Sequence, residues 1–375
     1  MAGGAGRLGL IVNPVAGMGG AVGLKGTDGA ATLAEARARG ARPVAPGRAR
    51  RALAALAAAR PGARILAGAG PLGADAAAGL DLGIEILPAA MPSDAAETRR
   101  LAALMRARGV GLILFAGGDG TARDVLAAVG EAVPVLGIPC GVKMHSGVFA
   151  VSPEAAGRLA ADVIGAGAGR VTFARAEVMD IDEAALRAGR VAARLYGYAL
   201  APAARNLLQG AKGRGPAGDE AALAGACAEV AAELDPGVTW LIGPGTAAKG
   251  VLRAMGLSGT LLGVDALRDG RLVGTDVTEA EALALAGDGP VGIVVGVTGG
   301  QGFVFGRGNQ QIGPELIRRA GRGRLVILAG AGKLAALPGG VLHVDTGDPA
   351  LDRALEGHVR VRTGPRRAML MRLVA

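Results

Sequence analysis

Leu112-Ile113-Leu114-Phe115-Ala116-Gly117-Gly118-Asp119-Gly120-Thr121 is an apolar run that stops at paired glycines, an acid and a hydroxyl, and Ala122 to Val129 follows with helical patterning. Consecutive apolar residues bounded by a turn signal read as a strand buried on both faces. The glycines let the backbone turn sharply and approach a ligand without a Cβ in the way. Thr121 can cap the helix or hydrogen-bond a phosphate, and the free amides of the helix start face an anion. Simple phosphate binding does not favour a carboxylate at Asp119. An acid there needs a job: holding a metal or ribose hydroxyls, or accepting a proton from an attacking hydroxyl. The competing reading is a glycine-rich turn whose Asp only caps the helix.

The same alternation extends outward in both directions. Leu8 to Val12 is a short apolar run ending at Asn13-Pro14 and predicts a buried strand entering a long glycine-rich loop, Ala16 to Gly29. Residues 30 to 39 and 48 to 59 are Ala-rich and predict helices. Arg64 to Ala67, Ile84 to Leu87 and Val133 to Gly137 are strand candidates, and Ser93 is placed to cap a helix over 94 to 107. Short buried strands alternating with helices predict a doubly wound parallel sheet. Ligands in such sheets bind beyond the carboxyl ends of the strands, so the loops at 13 to 29 and 117 to 121 belong to the ligand side.

Beyond a helix at 153 to 165, the segment 171 to 200 is strand-like and carries Glu177, Asp180, Asp182 and Glu183. After a polar loop at 205 to 219, α and β signals alternate again. Strands are expected at Val238 to Ile242, Leu261 to Val264, Gly292 to Val297, Leu325 to Leu328 and Val341 to Val344, a helix at Thr246 to Met255, and a strand pair through Gly364-Pro365. The expected organisation is α/β throughout: residues 1–165 a Rossmann-like domain, residues 166–375 a second α/β domain binding substrate or nucleotide.

Composition narrows the function. Forty-one basic against 32 acidic residues leave a net charge of +9, which suits an anionic ligand such as a nucleotide or polyphosphate. Nucleic acid is disfavoured, because the basic residues are scattered apart from Arg48 to Arg51 and Arg362 to Arg367, and aromatics for base stacking are only 2%. Cys140 and Cys227 form neither a disulfide framework nor a CxxC pair and fit a reducing compartment. No signal-peptide pattern and no membrane-length apolar run are present, so the cytoplasm is the expected location, with no membrane partner. A homo-oligomer is compatible with the sequence. His145, His343 and His358 lack metal-ligand spacing.

The GGDGT stretch between strand and helix resembles the signature of the superfamily of NAD kinases, diacylglycerol kinases and 6-phosphofructokinases. Ile11-Val12-Asn13-Pro14-Val15-Ala16-Gly17 is similar to the first-strand motif of the NAD and lipid kinases. Over Asn13 to Gly20, Leu24 to Gly29, Ile138 to Ser146, Glu177 to Asp182, Gly243 to Thr246 and Gly300 to Gln311, the chain resembles the ATP-NAD kinase family proteins, a group that includes the acetoin-catabolism X proteins. The resemblance implies transfer of a phosphoryl group from ATP or polyphosphate, with Mg²⁺ or another divalent cation, to the 2′-hydroxyl of the adenosine ribose of NAD. It implies that Asp119 activates that hydroxyl and that Asn13, Gly117, Gly118, Gly120 and Thr121 line the nucleotide and its phosphates. The alternatives are a non-catalytic nucleotide-binding accessory protein and a kinase of another small alcohol. The Asn-Glu motif of ordinary NAD kinases has no clear counterpart, and Gly243-Pro244-Gly245-Thr246 is a shortened echo of their Thr-Pro-Thr-Gly-Ser-Thr stretch.

Four further stretches are candidate ligand contacts. Lys143 and His145, with Ser146, follow a strand and can hold phosphate or transferred charge. Gly245 and Thr246 open a helix with Lys249 one turn in, a possible second phosphate cradle that lacks Walker A spacing. Lys25, Thr27 and Asp28 lie among glycines and can close over polyphosphate or hold magnesium. Arg307 and Asn309, with Gln310, are placed to read a base, ribose or phosphate. For each, an ordinary structural loop is the rival reading.

Overall fold

A computed structural model describes residues 6–24, 30–91, 94–141, 144–165, 171–181, 193–203, 217–298 and 302–375. The chain divides into two compact units. One comprises Met1–Met18 with Gly26–Gln209, the other Gly19–Lys25 with Gly210–Ala375.

The first unit is built on five parallel strands, β1 (Arg7–Val12), β2 (Ala63–Gly68), β3 (Leu82–Leu87), β4 (Leu112–Gly117) and β5 (Val135–Pro139), in the order β3-β2-β1-β4-β5. Helices α1 (Ala30–Ala38), α2 (Ala45–Ala59), α3 (Ala74–Ala77), α4 (Ala95–Ala107), α5 (Asp119–Val129) and α6 (Pro153–Gly165) accompany them. The period of two in the strands sorts their side chains by face. Ile11, Ile113 and Phe115 join Leu101 and Met105 of α4 and Val125 of α5 in one core cluster. The alternating Leu8, Leu10, Leu112 and Leu114 are fully buried on the other side, where α2 packs with α6. With few aromatics available, Phe115 and Phe149 meet edge to face at 5.5 Å. The strand order reverses between β1 and β4, and that reversal opens a crevice at their carboxyl ends.

Two local differences from the sequence reading have simple causes. The α4 cap is Asp94, whose carboxylate accepts the Glu97 amide; Ser93 lies outside the described residues. A two-stranded antiparallel ribbon, β6 (Phe173–Ile181) with β7 (Ala193–Pro202), packs on α5. Its Val178, Ala199 and Ala201 enter the first core, so this unit runs to Gln209, past the boundary expected at residue 165.

The second unit carries a nine-stranded mixed sheet in the order β10-β9-β8-β11-β13-β15-β16-β14-β12. Its strands are β8 (Thr239–Ile242), β9 (Asp265–Arg268), β10 (Arg271–Gly274), β11 (Val291–Gly296), β12 (Phe303–Phe305), β13 (Leu325–Leu328), β14 (Val341–Val344), β15 (Gly357–Gly364) and β16 (Arg367–Val374). Helices α7 (Ala217–Glu233), α8 (Thr246–Ala254), α9 (Glu279–Ala286), α10 (Pro314–Ala320), α11 (Ala331–Ala335) and α12 (Pro349–Leu355) complete it. Trp240 and Ile242 point into one core with α7 and α8, and Leu241 points into the other. The strand expected at Leu261 to Val264 begins only at Asp265, because Thr260 turns back to donate its amide and hydroxyl to the Asp265 carboxylate, each at 2.8 Å. No described helix is long and apolar enough to cross a membrane.

Candidate functional site

β1 and β4 are neighbours at the point of reversal, so the loops that follow them open side by side. Asn13 ties the two together. Its amide donates to the Ala116 carbonyl at 2.9 Å, extending the strand ladder by one residue. Its Oδ1 accepts the Val15 amide at 3.2 Å, closing an Asx turn. Its Nδ2 donates to Thr121 Oγ1 at 3.1 Å. The Thr121 side chain in turn lies over Gly117, where an added Cβ would stand 2.4 Å from the threonine Cβ. Gly117 is therefore what lets α5 begin this close to the end of β4. A third loop joins at β5. The Cys140 amide donates to the Gly117 carbonyl at 3.0 Å, and Gly17, at φ +80°, approaches the Cys140 carbonyl so closely that a Cβ would lie 2.1 Å from its oxygen.

Asp119 occupies the first turn of α5 and is buried. Its carboxylate gathers three donors from the loop after β5. Oδ1 accepts the Ser146 amide at 2.9 Å and the Ser146 hydroxyl at 2.5 Å; among the described residues Oδ2 accepts only the His145 amide, at 2.9 Å. The Ser146 hydroxyl accepts the Met179 amide of β6 at 3.0 Å, so it both donates and accepts. Burial pushes the Asp119 carboxyl above its ordinary range, while the Ser146 hydroxyl and the two amides pull it down. The result is an acid with one oxygen anchored by two donors and one that, among the described residues, retains a free lone pair. Beside it, the amides of Asp119, Gly120 and Thr121 have no acceptor among the described residues, the usual condition of a helix start. Gly118, Gly120, Asn13 and His145 are half-buried, whereas Thr121 is buried.

Asn13, Gly117, Gly118, Asp119, Gly120, Thr121 and His145 are thus brought together in the first unit. Lys25, Thr27, Asp28, Lys143, Asp182 and Glu183 lie outside the described residues. Ser146 and the Met179 amide hold Asp119 in place, and little in the sequence announces them. A hydroxyl beside His145 was visible, but its turn toward an acid 27 residues earlier was not.

The second unit holds the other candidates. Gly243-Pro244-Gly245 links β8 to α8; Gly245 has φ +95°, no side chain caps the helix, and Thr246 is exposed at its start. Lys249, one turn in, is buried. Its ammonium donates to Asp265 Oδ2 at 2.7 Å and to the Ile242 carbonyl at 2.8 Å, and burial pushes its pKa down against the pull of Asp265. Arg307 is buried over the Phe303 ring, its guanidinium carbon 4.7 Å from the ring centre, and 3.6 Å from the Asp345 carboxylate. Asn309 staples its own loop, donating to the Val304 carbonyl and accepting the Gly306 amide. Glu177 is exposed on β6. Among the described residues no group of three His, Cys, Asp or Glu side chains is placed to hold a metal ion.

Two family models match. That of the ATP-NAD kinase N-terminal domain covers residues 75–168, including β4, the Asp119 turn and the loop after β5. That of the ATP-NAD kinase C-terminal domain covers residues 236–373. No curated protein and no solved structure matches the chain.

Proposed function

The chain belongs to the ATP-NAD kinase family, a family of kinase-type phosphotransferases, and from that membership we propose that it phosphorylates the 2′-hydroxyl of the adenosine ribose of NAD, with ATP or polyphosphate as donor. The observation that carries this reading is the Asp119 carboxylate, with Oδ1 anchored by Ser146 and Oδ2 holding a single amide among the described residues. The ribose oxygen attacks the terminal phosphorus of the donor. The bond from that phosphorus to the bridging oxygen breaks, and ADP or a shortened polyphosphate leaves. The hydroxyl proton passes to Asp119 Oδ2. Burial favours that step, because a carboxyl raised above its ordinary pKa is a better proton acceptor.

The remaining residues position. The free amides at the start of α5, with Gly118 and Gly120 giving backbone access, are assigned to a phosphate, and Asn13 keeps the Thr121 hydroxyl in place beside them. Gly245 and Thr246 form a second helix start of the same kind in the other unit. A divalent cation belongs to the proposal as a companion of the donor phosphates, where it neutralises charge. The described acids do not form a cage for it.

The test incubates the purified chain with NAD and either ATP or polyphosphate, and scores NADP by mass. Asp119→Asn should lower the rate by about 10²–10⁴-fold, the usual worth of a positioned base. Because the amide cannot accept all three donors, donor affinity and melting temperature are followed in parallel. Lost turnover with retained binding supports the base role. A variant that keeps its full rate removes Asp119 from the chemistry, and phosphorylation of another alcohol with NAD untouched replaces the acceptor.

A further inference from the structure

The ribbon of β6 and β7 turns one face to α5 and leaves the other open. Val178, Ala199 and Ala201 enter the first core, with Ala176 packed against it. Gly197 leans on α5, where an added Cβ would stand 3.2 Å from a methyl of Leu126. Strand residues alternate between faces, and residues directly opposite one another share a face. The pairs Phe173–Pro202, Arg175–Leu200, Glu177–Tyr198 and Met179–Leu195 therefore belong to the face away from α5. Phe173, Arg175, Glu177, Tyr198 and Leu195 are exposed there, and Met179 and Leu200 are half-buried. The register shifts after Val178 and leaves Tyr196 as the extra residue of a bulge in β7, also exposed.

Aromatic residues are scarce in this chain, and those left exposed are all here. Phe173, Tyr196 and Tyr198 are 40%, 44% and 37% exposed, whereas Phe115, Phe149, Phe303, Phe305 and Trp240 are buried. With Leu195 they offer roughly 300 Å² of surface, taking about 200 Å² for a whole side chain of this size, a patch size that is often functional. The charges on the face are mixed. The Arg175 guanidinium lies over the Tyr198 ring, 4.6 Å from its centre, and pairs with Glu131 at 2.8 Å. Glu177, two positions along β6, makes no ion pair among the described residues. Two acids beside one arginine make the face a poor seat for a phosphate-rich partner or an anionic membrane, despite the basic balance of the chain.

We propose that this face is a self-association surface, on which a second copy of the chain packs about a two-fold axis crossing β6 level with Ala176. A two-fold interface joins one patch to itself, so the patch must be self-complementary. That axis lays each β6 position over the position equally far to the other side of Ala176 in the second copy. Arg175 then meets Glu177 of the second copy, and Glu177 meets its Arg175. Phe173 meets Met179. On β7, Tyr198 meets Leu200, and Leu195 lies over the end of the ribbon that Pro202 occupies. Apolar positions face apolar positions, and each charge faces its opposite. Centring the axis on Arg175 or on Glu177 would set that residue against its own copy, so charge selects the register. Two patches of this size fall at or below the lower end of stable interfaces, about 1,200 Å² in total, so the pair forms reversibly.

Sedimentation velocity of the full chain between about 1 and about 200 μM tests this, a range that spans a weak reversible pair. Wild type should pass from monomer to dimer within it. Phe173→Ser and Tyr198→Ser should each weaken the dimer by about tenfold or more, the loss typical of a central aromatic anchor. Leu370→Ser, at an exposed position of β16, should leave it unchanged. Arg175→Glu and Glu177→Arg, each alone, oppose two pairs of like charges and should leave monomers. Mixed one to one, these two variants should form a heterodimer about as tight as the wild-type dimer, because both contacts then join opposite charges. Mixing does not repair a misfolded chain, so recovery separates the interface from a folding defect, and melting curves are recorded alongside. A wild type that stays monomeric at about 200 μM overturns the proposal, whatever else the face is found to bind. So does a dimer that survives the Phe173 and Tyr198 variants or the single charge swaps, or a pair of charge variants that stays monomeric when mixed.

Discussion

His343 shows how burial sets the behaviour of one side chain. It lies on β14 opposite Phe303 of β12, with ring centres 5.3 Å apart. Burial, with the nearby Arg307 charge, holds its pKa down at about 4 instead of 6.5. The ring is therefore neutral in the folded protein across the physiological range. Above pH 6.5 neither state binds the proton and the contribution is fully present. As pH falls below 6.5 the unfolded chain takes up a proton that the native ring refuses. Stability then drops by about 1.4 kcal/mol per pH unit, reaching about 3 kcal/mol near pH 4. His343→Phe retains the ring contact and has no proton to refuse. Urea midpoints for the two proteins should run parallel above pH 6.5 and converge or cross toward pH 4 in favour of the variant. Parallel curves throughout would mean that the imidazole titrates normally.

At the scale of elements, the anchoring of α8 depends on Lys249 and Asp265. Asp265 is fully buried at the start of β9 and accepts the Lys249 ammonium, both Thr260 donors and the Asp276 amide. Removing the ammonium leaves a buried carboxylate without its counter-charge. Lys249→Met should cost about 3–5 kcal/mol in denaturant unfolding, the range for breaking a buried pair from one side. A loss under about 1 kcal/mol would show that water reaches the pair. The same residue marks how far local sequence reading carries. The strand, the Gly243–Thr246 turn and the helix were legible, because an apolar run, Gly-Pro-Gly and helical spacing are local signals. Where the ammonium would go was not, since Asp265 lies 16 residues further on across a different strand. Arg307 behaves likewise, its guanidinium meeting Asp345 from β14's far end. In the first unit the GGDGT turn and its partner Asn13 stood out for the same reason that Lys249's partner did not. Their residue types belong to the turn itself, whereas the Ser146 and Met179 groups that fix Asp119 arrive from two other elements.

Over the whole molecule, the excess of nine positive charges acts on any anion that approaches, and the two basic clusters visible in the sequence are partly engaged by the fold, with Arg366 and Arg367 left exposed. Arg48 donates to the Pro139 carbonyl, Arg51 pairs with Glu154, and Arg362 pairs with Glu233 and Glu229. The long-range field comes from charge near the surface, and such charge is screened by salt over about 10 Å at 0.1 M. Steering of this kind changes encounter and leaves the bound chemistry alone. For the proposed phosphoryl transfer, kcat/KM for polyphosphate should fall by about tenfold between about 0.02 M and about 0.2 M salt, with kcat nearly constant. The fall should be smaller for ATP, which carries fewer charges. Steady-state rates across a chloride series measure both quantities. A donor KM indifferent to salt would place recognition in the local amides of the α5 turn alone. A kcat that falls with kcat/KM would mean that salt reaches the buried Asp119 network itself, against the burial of that carboxylate.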